Sequence, residues 1–128
     1  LMNFLSQIAW NMDGLIPAIT QDAISNRVLM MAWMNKEALQ ATVIEQRAVY
    51  WSRSRNKLWR KGEQSGNIQR LVGLHLDCDN DTILLKVIQK GGVACHTGRE
   101  SCFFKILQDN NNWIAVDEVI RNPEEMYR

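Results

Sequence analysis

The stretch Leu71-Val72-Gly73-Leu74-His75-Leu76-Asp77-Cys78-Asp79-Asn80-Asp81-Thr82-Ile83-Leu84-Leu85-Lys86-Val87-Ile88 decides the fold. Branched and apolar residues flank its acidic centre, the composition of strands, and the pattern predicts two strands, or one bent strand, over 71–88. On the N-terminal side, 17–21 and 27–34 read as strands around a turn at 22–26. Asn35 is placed to cap a helix over 36–46, with Leu39 and Val43 on its buried face. The segments 49–52 and 58–61 read as short strands around a polar connection at 53–57. Gly91-Gly92 breaks the chain, and 103–107 with 113–116 form a hairpin joined by Asp109-Asn110-Asn111-Asn112. Phe4, Leu5 and Ile8 sit at the spacing of a short amphipathic helix. The expected class is α+β and β-dominated: a mostly antiparallel sheet or barrel-like domain, one main helix and short flanking helices.

Composition agrees with a globular chain. With 128 residues, 46% of them hydrophobic and 23% charged, the expectation is one domain over 1–128 with a single core. The longest apolar run, Val28–Met34, has seven residues, against the roughly 20 that span a bilayer. The N-terminus lacks a basic region followed by an apolar stretch and a small-residue cleavage site. The expected location is the cytoplasm, where cysteines stay reduced.

A net charge of +1 conceals a local imbalance. Between Arg47 and Arg70 stand Arg47, Arg53, Arg55, Lys57, Arg60, Lys61 and Arg70 against one acid, Glu63. The acidic 77–81 segment follows. A cationic band beside an acidic cluster suits a phosphate-bearing substrate, held at one end and cut at the other.

All three cysteines lie between residues 78 and 102: Cys78 within the acidic triplet, Cys95 and Cys102 in Cys95-His96-Thr97-Gly98-Arg99-Glu100-Ser101-Cys102. Three thiols cannot close a set of disulfides, and they are one short of a four-cysteine structural zinc site. Three protein ligands with an open fourth position are the pattern of a catalytic zinc. Asp77, Asp79 and Asp81 offer hard oxygens to a second cation such as magnesium. If 77–81 is extended, the three carboxylates project to one face and Cys78 to the other. Should one subunit fail to bring Cys78 to Cys95 and Cys102, a partner chain could supply the third thiolate. His75, in an apolar strand setting, is expected to be a hydrogen-bonded structural residue, and Trp33, Trp51 and Trp113 to be core. Trp59 sits inside the cationic band, where it could stack on a substrate.

Four motifs in order carry a family resemblance. They are Tyr50-Trp51-Ser52-Arg53-Ser54-Arg55, Leu58-Trp59-Arg60-Lys61-Gly62-Glu63-Gln64-Ser65-Gly66-Asn67, Asp77-Cys78-Asp79-Asn80-Asp81, and Cys95-His96-Thr97-Gly98 with Ser101-Cys102-Phe103. Together they resemble the phosphoribosyl-AMP cyclohydrolase family of histidine biosynthesis, from about Leu15 to Leu107. The resemblance implies a cytoplasmic homodimer that hydrolytically opens the adenine ring of 1-(5-phosphoribosyl)-AMP, with one zinc and one magnesium per subunit. Carried over by position, Cys78, Cys95 and Cys102 would bind zinc, Cys78 coming from the partner subunit, and Asp77, Asp79 and Asp81 would bind magnesium. The second domain of some relatives, which removes pyrophosphate from the preceding intermediate, is not expected here. At 90–94 the chain reads Lys90-Gly91-Gly92-Val93-Ala94, where the family more often has Gly-Pro.

The residues also indicate a proton carrier. Alkylation at N1 makes C6 of the ring electrophilic, so a nucleophile at neutral pH is what the site must supply. Zinc brings the pKa of bound water from about 15.7 towards 7, but three thiolates give the centre a charge of −1 and weaken that effect. A general base then matters more, and His96, beside Cys95, is the candidate. Ser52, Arg53, Arg55, Trp59, Lys61, Ser65 and Gly66 are the expected substrate-binding set, with the cations and the Ser65-Gly66 backbone on the phosphates. The competing expectation is a zinc-stabilised nucleic-acid-binding module, with Tyr50, Trp51 and Trp59 as a stacking track. The aspartates beside that track would repel a polyanion.

Overall fold

The computed structural model describes residues 3–127; residues 1, 2 and 128 of the expected domain lie outside them. A four-residue helix, α1 (Asn3–Ser6), precedes β1 (Ile16–Asp22) and β2 (Val28–Met34). Helix α2 (Lys36–Glu45) follows, then β3 (Val49–Ser52), β4 (Lys57–Arg60), β5 (Gln69–Leu76) and β6 (Ile83–Gln89). A 3₁₀ turn at Lys90–Gly92 leads through an irregular loop to β7 (Lys105–Leu107), β8 (Trp113–Ala115) and α3 (Pro123–Met126). Six strands form one curled sheet in the order β4-β3-β2-β1-β6-β5, and β7 and β8 pair only with each other. The β-dominated α+β expectation holds, and among the described residues no helix is long and apolar enough to cross a membrane.

Local rules explain the boundaries. The Asn35 side chain accepts the Ala38 amide at 2.8 Å, capping α2 as expected. Gln46 ends the helix in the left-handed region and donates its amide to Thr42. The buried face is Ala38, Leu39 and Thr42, with Val43 only half-buried. Thr42 is drawn inward because its hydroxyl takes up the Ala38 and Val49 carbonyls, at 2.8 and 3.1 Å. The pattern at 71–88 resolves into two strands, β5 and β6, joined by a turn rather than one bent strand.

Alternation builds the core. Ile16, Ala18 and Thr20 of β1 and Ile83, Leu85 and Val87 of β6 point inward, where they meet Leu29, Met30, Met34, Leu39, Val49 and Tyr50. Within this apolar layer the Tyr50 hydroxyl donates to Gln69 Oε1 at 2.6 Å, so the Thr20 hydroxyl, also at 2.6 Å, donates to Tyr50. Gln69 passes the chain of bonds to Gln89, and Gln89 to the Asn67 carbonyl, both at 2.9 Å. Burial pushes the Tyr50 phenol well above its ordinary value, so it stays a donor.

The mostly antiparallel sheet contains one parallel pairing, β1–β6, with Ala18 opposite Ile83. Two expectations are corrected. Trp113 is 67% exposed on a hairpin that no other strand covers, whereas Trp51 packs partly against the core and Trp33 is half-buried. His75 is exposed, because β5 is an edge strand whose outer residues face solvent.

Candidate active site

A cavity of about 590 Å³ opens between β4, the 61–66 loop and the loop carrying His96. The strand pair β3–β4 presents Ser52, Arg55, Lys57 and Trp59 to it, and the loop adds Lys61, Glu63, Gln64 and Ser65. The loop turns sharply at Gly62, whose φ of +83° and contact with the Ile68 amide leave no room for a Cβ. Five of the seven expected substrate-binding residues, Ser52, Arg55, Trp59, Lys61 and Ser65, line this cavity. Arg53 and Gly66 are not among its walls. Arg53 lies over the Trp33 ring, 4.8 Å from its centroid, and the Gly66 amide is spent on the Gly62 carbonyl at 2.8 Å.

Lys61 is only 5% exposed. Its ammonium donates to the Ala94 carbonyl at 2.5 Å and lies 5.2 Å from the Trp59 ring centroid. Burial pulls its pKa below the ordinary lysine value, while the nearby Cys102 and Cys95 thiols act in the opposite sense. A buried cation thus stands between the cavity and the thiols.

The thiol loop is a tight reversal. Cys95 donates its amide to Arg99 at 3.1 Å and accepts the Gly98 amide at 3.0 Å. Gly98 has φ +87°, and a Cβ there would overlap the Arg121 carbonyl, so only glycine closes the loop. Ser101 and Cys102 then dock on β2: the Ser101 hydroxyl donates to Val28 at 2.8 Å and the Cys102 amide to Leu29 at 2.7 Å. This docking brings the Cys102 sulfur against Cys95, and burial, followed by the adjacent Cys95 thiol, pushes the Cys102 thiol up to about 12. Cys102 is exposed as a residue while its sulfur is sheltered by this contact. The Thr97 hydroxyl donates to the Cys95 sulfur at 3.0 Å. His96, between them in sequence, is exposed and lines the cavity.

Cys78 lies elsewhere. Among the described residues, the one group of three His, Cys, Asp or Glu with ligand atoms within 4.8 Å of one another is Asp77, Asp79 and Asp81. A single subunit therefore joins Cys95 to Cys102 without Cys78. The acidic segment is a turn, with Asn80 at φ 63°, and not the extended strand that would send alternate residues to opposite faces. It gathers the carboxylates by curling instead. Slight desolvation acts against Asp77, but the Asp81 and Thr82 amides, at 3.0 and 3.2 Å, hold it below the usual carboxylate range. Asp81 is raised, chiefly by its hydrogen bond to Asp77.

The donor sets fit the expected cations. Two adjacent sulfurs suit a soft divalent ion, and three converging carboxylates suit a hard one. Sequence reasoning did not single out Lys57, Glu63, Gln64 or Tyr127 as cavity walls. Lys57, Glu63 and Gln64 lie within or beside the quoted motifs and could have been found from them. Tyr127 is isolated at the far end of the chain and had no such signal.

Known proteins resolve the class and then the family. Residues 30–104 match the family model described as phosphoribosyl-AMP cyclohydrolase. A Cellvibrio japonicus protein named phosphoribosyl-AMP cyclohydrolase is 56% identical over 127 residues, 99% of this chain and 100% of its own. Proteins of the same name from Stutzerimonas stutzeri and Azotobacter vinelandii are 60% and 56% identical, covering 98% and 100% of this chain and 95% and 96% of theirs. These matches make the chain a hydrolase. The chain belongs to the phosphoribosyl-AMP cyclohydrolase family.

Proposed function

We propose that this protein opens the adenine ring of 1-(5-phosphoribosyl)-AMP by hydrolysis at C6–N1, a step of histidine biosynthesis, in the cytoplasm. The observation that supports this reading best is the cavity wall on which His96 stands beside the paired thiols of Cys95 and Cys102. Arg55, Lys57 and Lys61 supply positive charge for the two phosphates, and the Trp59 ring offers a face to the base. His96 accepts a proton from the water that attacks C6, and N1 takes up a proton as the C6–N1 bond breaks. The net change is addition of one water.

Zinc, held by Cys95 and Cys102 with Cys78 from a partner subunit, would supply the Lewis acidity that brings the pKa of water towards neutrality. Magnesium at Asp77, Asp79 and Asp81 would neutralise or position the substrate. The homodimer is supported by the hairpin after Cys102. Phe103, Ile106, Leu107, Trp113, Ile114, Val116, Val119 and Ile120 are all exposed there, more large apolar side chains than a short hairpin ordinarily leaves to water. A spectrophotometric assay of ring opening tests the whole reading. Activity should vanish on chelation and return with zinc; zinc-loaded protein that leaves the ring closed would overturn it.

A further inference from the structure

The segment after β8 is fastened to both loops of the cavity. Gly98 accepts the Ile120 and Arg121 amides at 2.9 and 3.2 Å, which ties it to the thiol loop. Asn67, at the end of the 61–66 loop and 2% exposed, accepts Arg121 Nη1 at 2.9 Å and lies 3.2 Å from the Met126 sulfur through its Nδ2. Asn122 caps α3 by accepting the Glu124 amide at 3.0 Å, and Pro123 opens the helix with its φ already set. Met126 is buried under this turn. The next residue, Tyr127, is thereby held to the cavity, where it stands in the wall with Ser65 and His96. Its ring stands beside Ser65 in the cavity wall, and the residue remains 39% exposed. Three fixed points thus serve to present one partly open aromatic ring, a residue type that supplies large contact area at little conformational cost. The family match at 30–104 does not reach it.

We propose that Tyr127 is a substrate-binding residue, its ring closing the cavity wall with Ser65 and His96 and its hydroxyl meeting the nucleotide. This rests on the function proposed above for the same cavity. The role is uniform binding: the contact exists in the bound substrate and persists through the reaction, so its loss raises KM and leaves kcat in place.

Tyr127→Phe keeps the ring and removes the hydroxyl; Tyr127→Ala removes both. Steady-state kinetics on phosphoribosyl-AMP should give a KM raised roughly 3- to 10-fold for Phe and more than about 10-fold for Ala, at near-normal kcat. A second measurement needs no turnover. AMP binding to the zinc-loaded protein, followed by quenching of tryptophan fluorescence, should weaken in the same order. Thermal melting shows whether each variant is folded, and Phe, which preserves the packing, keeps the test open should Ala unfold. If KM and the AMP dissociation constant of the folded variants stay within about twofold of the parent, or if kcat alone falls, Tyr127 is not a binding residue. AMP binding that responds to Tyr127 in a protein unable to open phosphoribosyl-AMP would uphold the wall and overturn the reaction.

Discussion

A shared zinc site makes a quantitative prediction for mixed dimers. Cys95 and Cys102 meet within one subunit, and Cys78 does not join them. Cys78→Ala and Cys95→Ala should each be inactive alone, because every site of either homodimer lacks one thiolate. In a two-fold dimer of one variant with the other, one site combines the Cys95 and Cys102 of the first subunit with the Cys78 of the second and is complete. The other site lacks two thiolates. Random exchange in an equal mixture makes about half the dimers mixed, with half their sites intact, so about a quarter of wild-type activity should return. The assay is ring opening before and after co-refolding, with native mass spectrometry counting mixed dimers and a zinc measurement that should rise in parallel. Activity that stays at the parental level while half the dimers are mixed would refute the shared site, since ligands from one chain leave no complete set in any combination.

Three further outcomes are expected. His96→Ala should retain zinc while turnover at neutral pH falls roughly 10²- to 10⁴-fold, with part of the loss recovered at higher pH; loss of zinc would make His96 a ligand or its support. Tyr50→Phe orphans the Gln69 oxygen and the Thr20 hydroxyl. It should destabilise the fold by about 1–3 kcal/mol, read as a melting temperature lower by about 4 °C per kcal/mol. The Cys102 thiol, raised from 9.0 to about 12 in the folded chain, stays protonated where the unfolded thiol has already ionised. The unfolded state then binds fewer protons, so the metal-free protein should lose stability as pH rises from about 9 towards 12. Cys102→Ala should flatten that slope in melting curves taken against pH.

Short-range features of the fold were legible because each has a local cause. Asn35 caps α2 by a bond three residues long, and the asparagine-rich connection at 109–112 turns β7 into β8. The parallel β1–β6 pairing was not legible, since strands that meet through a long crossover leave no turn signal between them. Hydropathy placed Trp113 in the core, but a large apolar ring is equally at home on a surface that another chain covers. The acidic triplet was rightly gathered for the wrong reason: alternation along a strand was assumed, while a left-handed Asn80 curls the segment. At the cavity, motif residues identified most of the wall. Arg53 stands outside this cavity, because its guanidinium stacks on Trp33, a contact that spacing does not reveal. Tyr127 enters through Asn67 and Gly98, contacts that no local pattern announces.

The parallel pairing of β1 with β6 also orders the events of folding. The antiparallel run β1 to β4 and the β5–β6 hairpin can each assemble from neighbours in sequence, whereas residues 18 and 83 meet only after a long closure whose entropy is lost before any contact rewards it. The thiol loop leaves β6 and takes its place on β2, on the far side of β1, through Ser101 and Cys102. Cys102 therefore needs a closure of the same long range, residue 102 against residue 29, to reach its native position. Until then Cys95, buried in the finished molecule, stands open to solvent. An oxidant present during refolding would trap it there, and its rate of protection, followed by pulsed thiol labelling, times that closure.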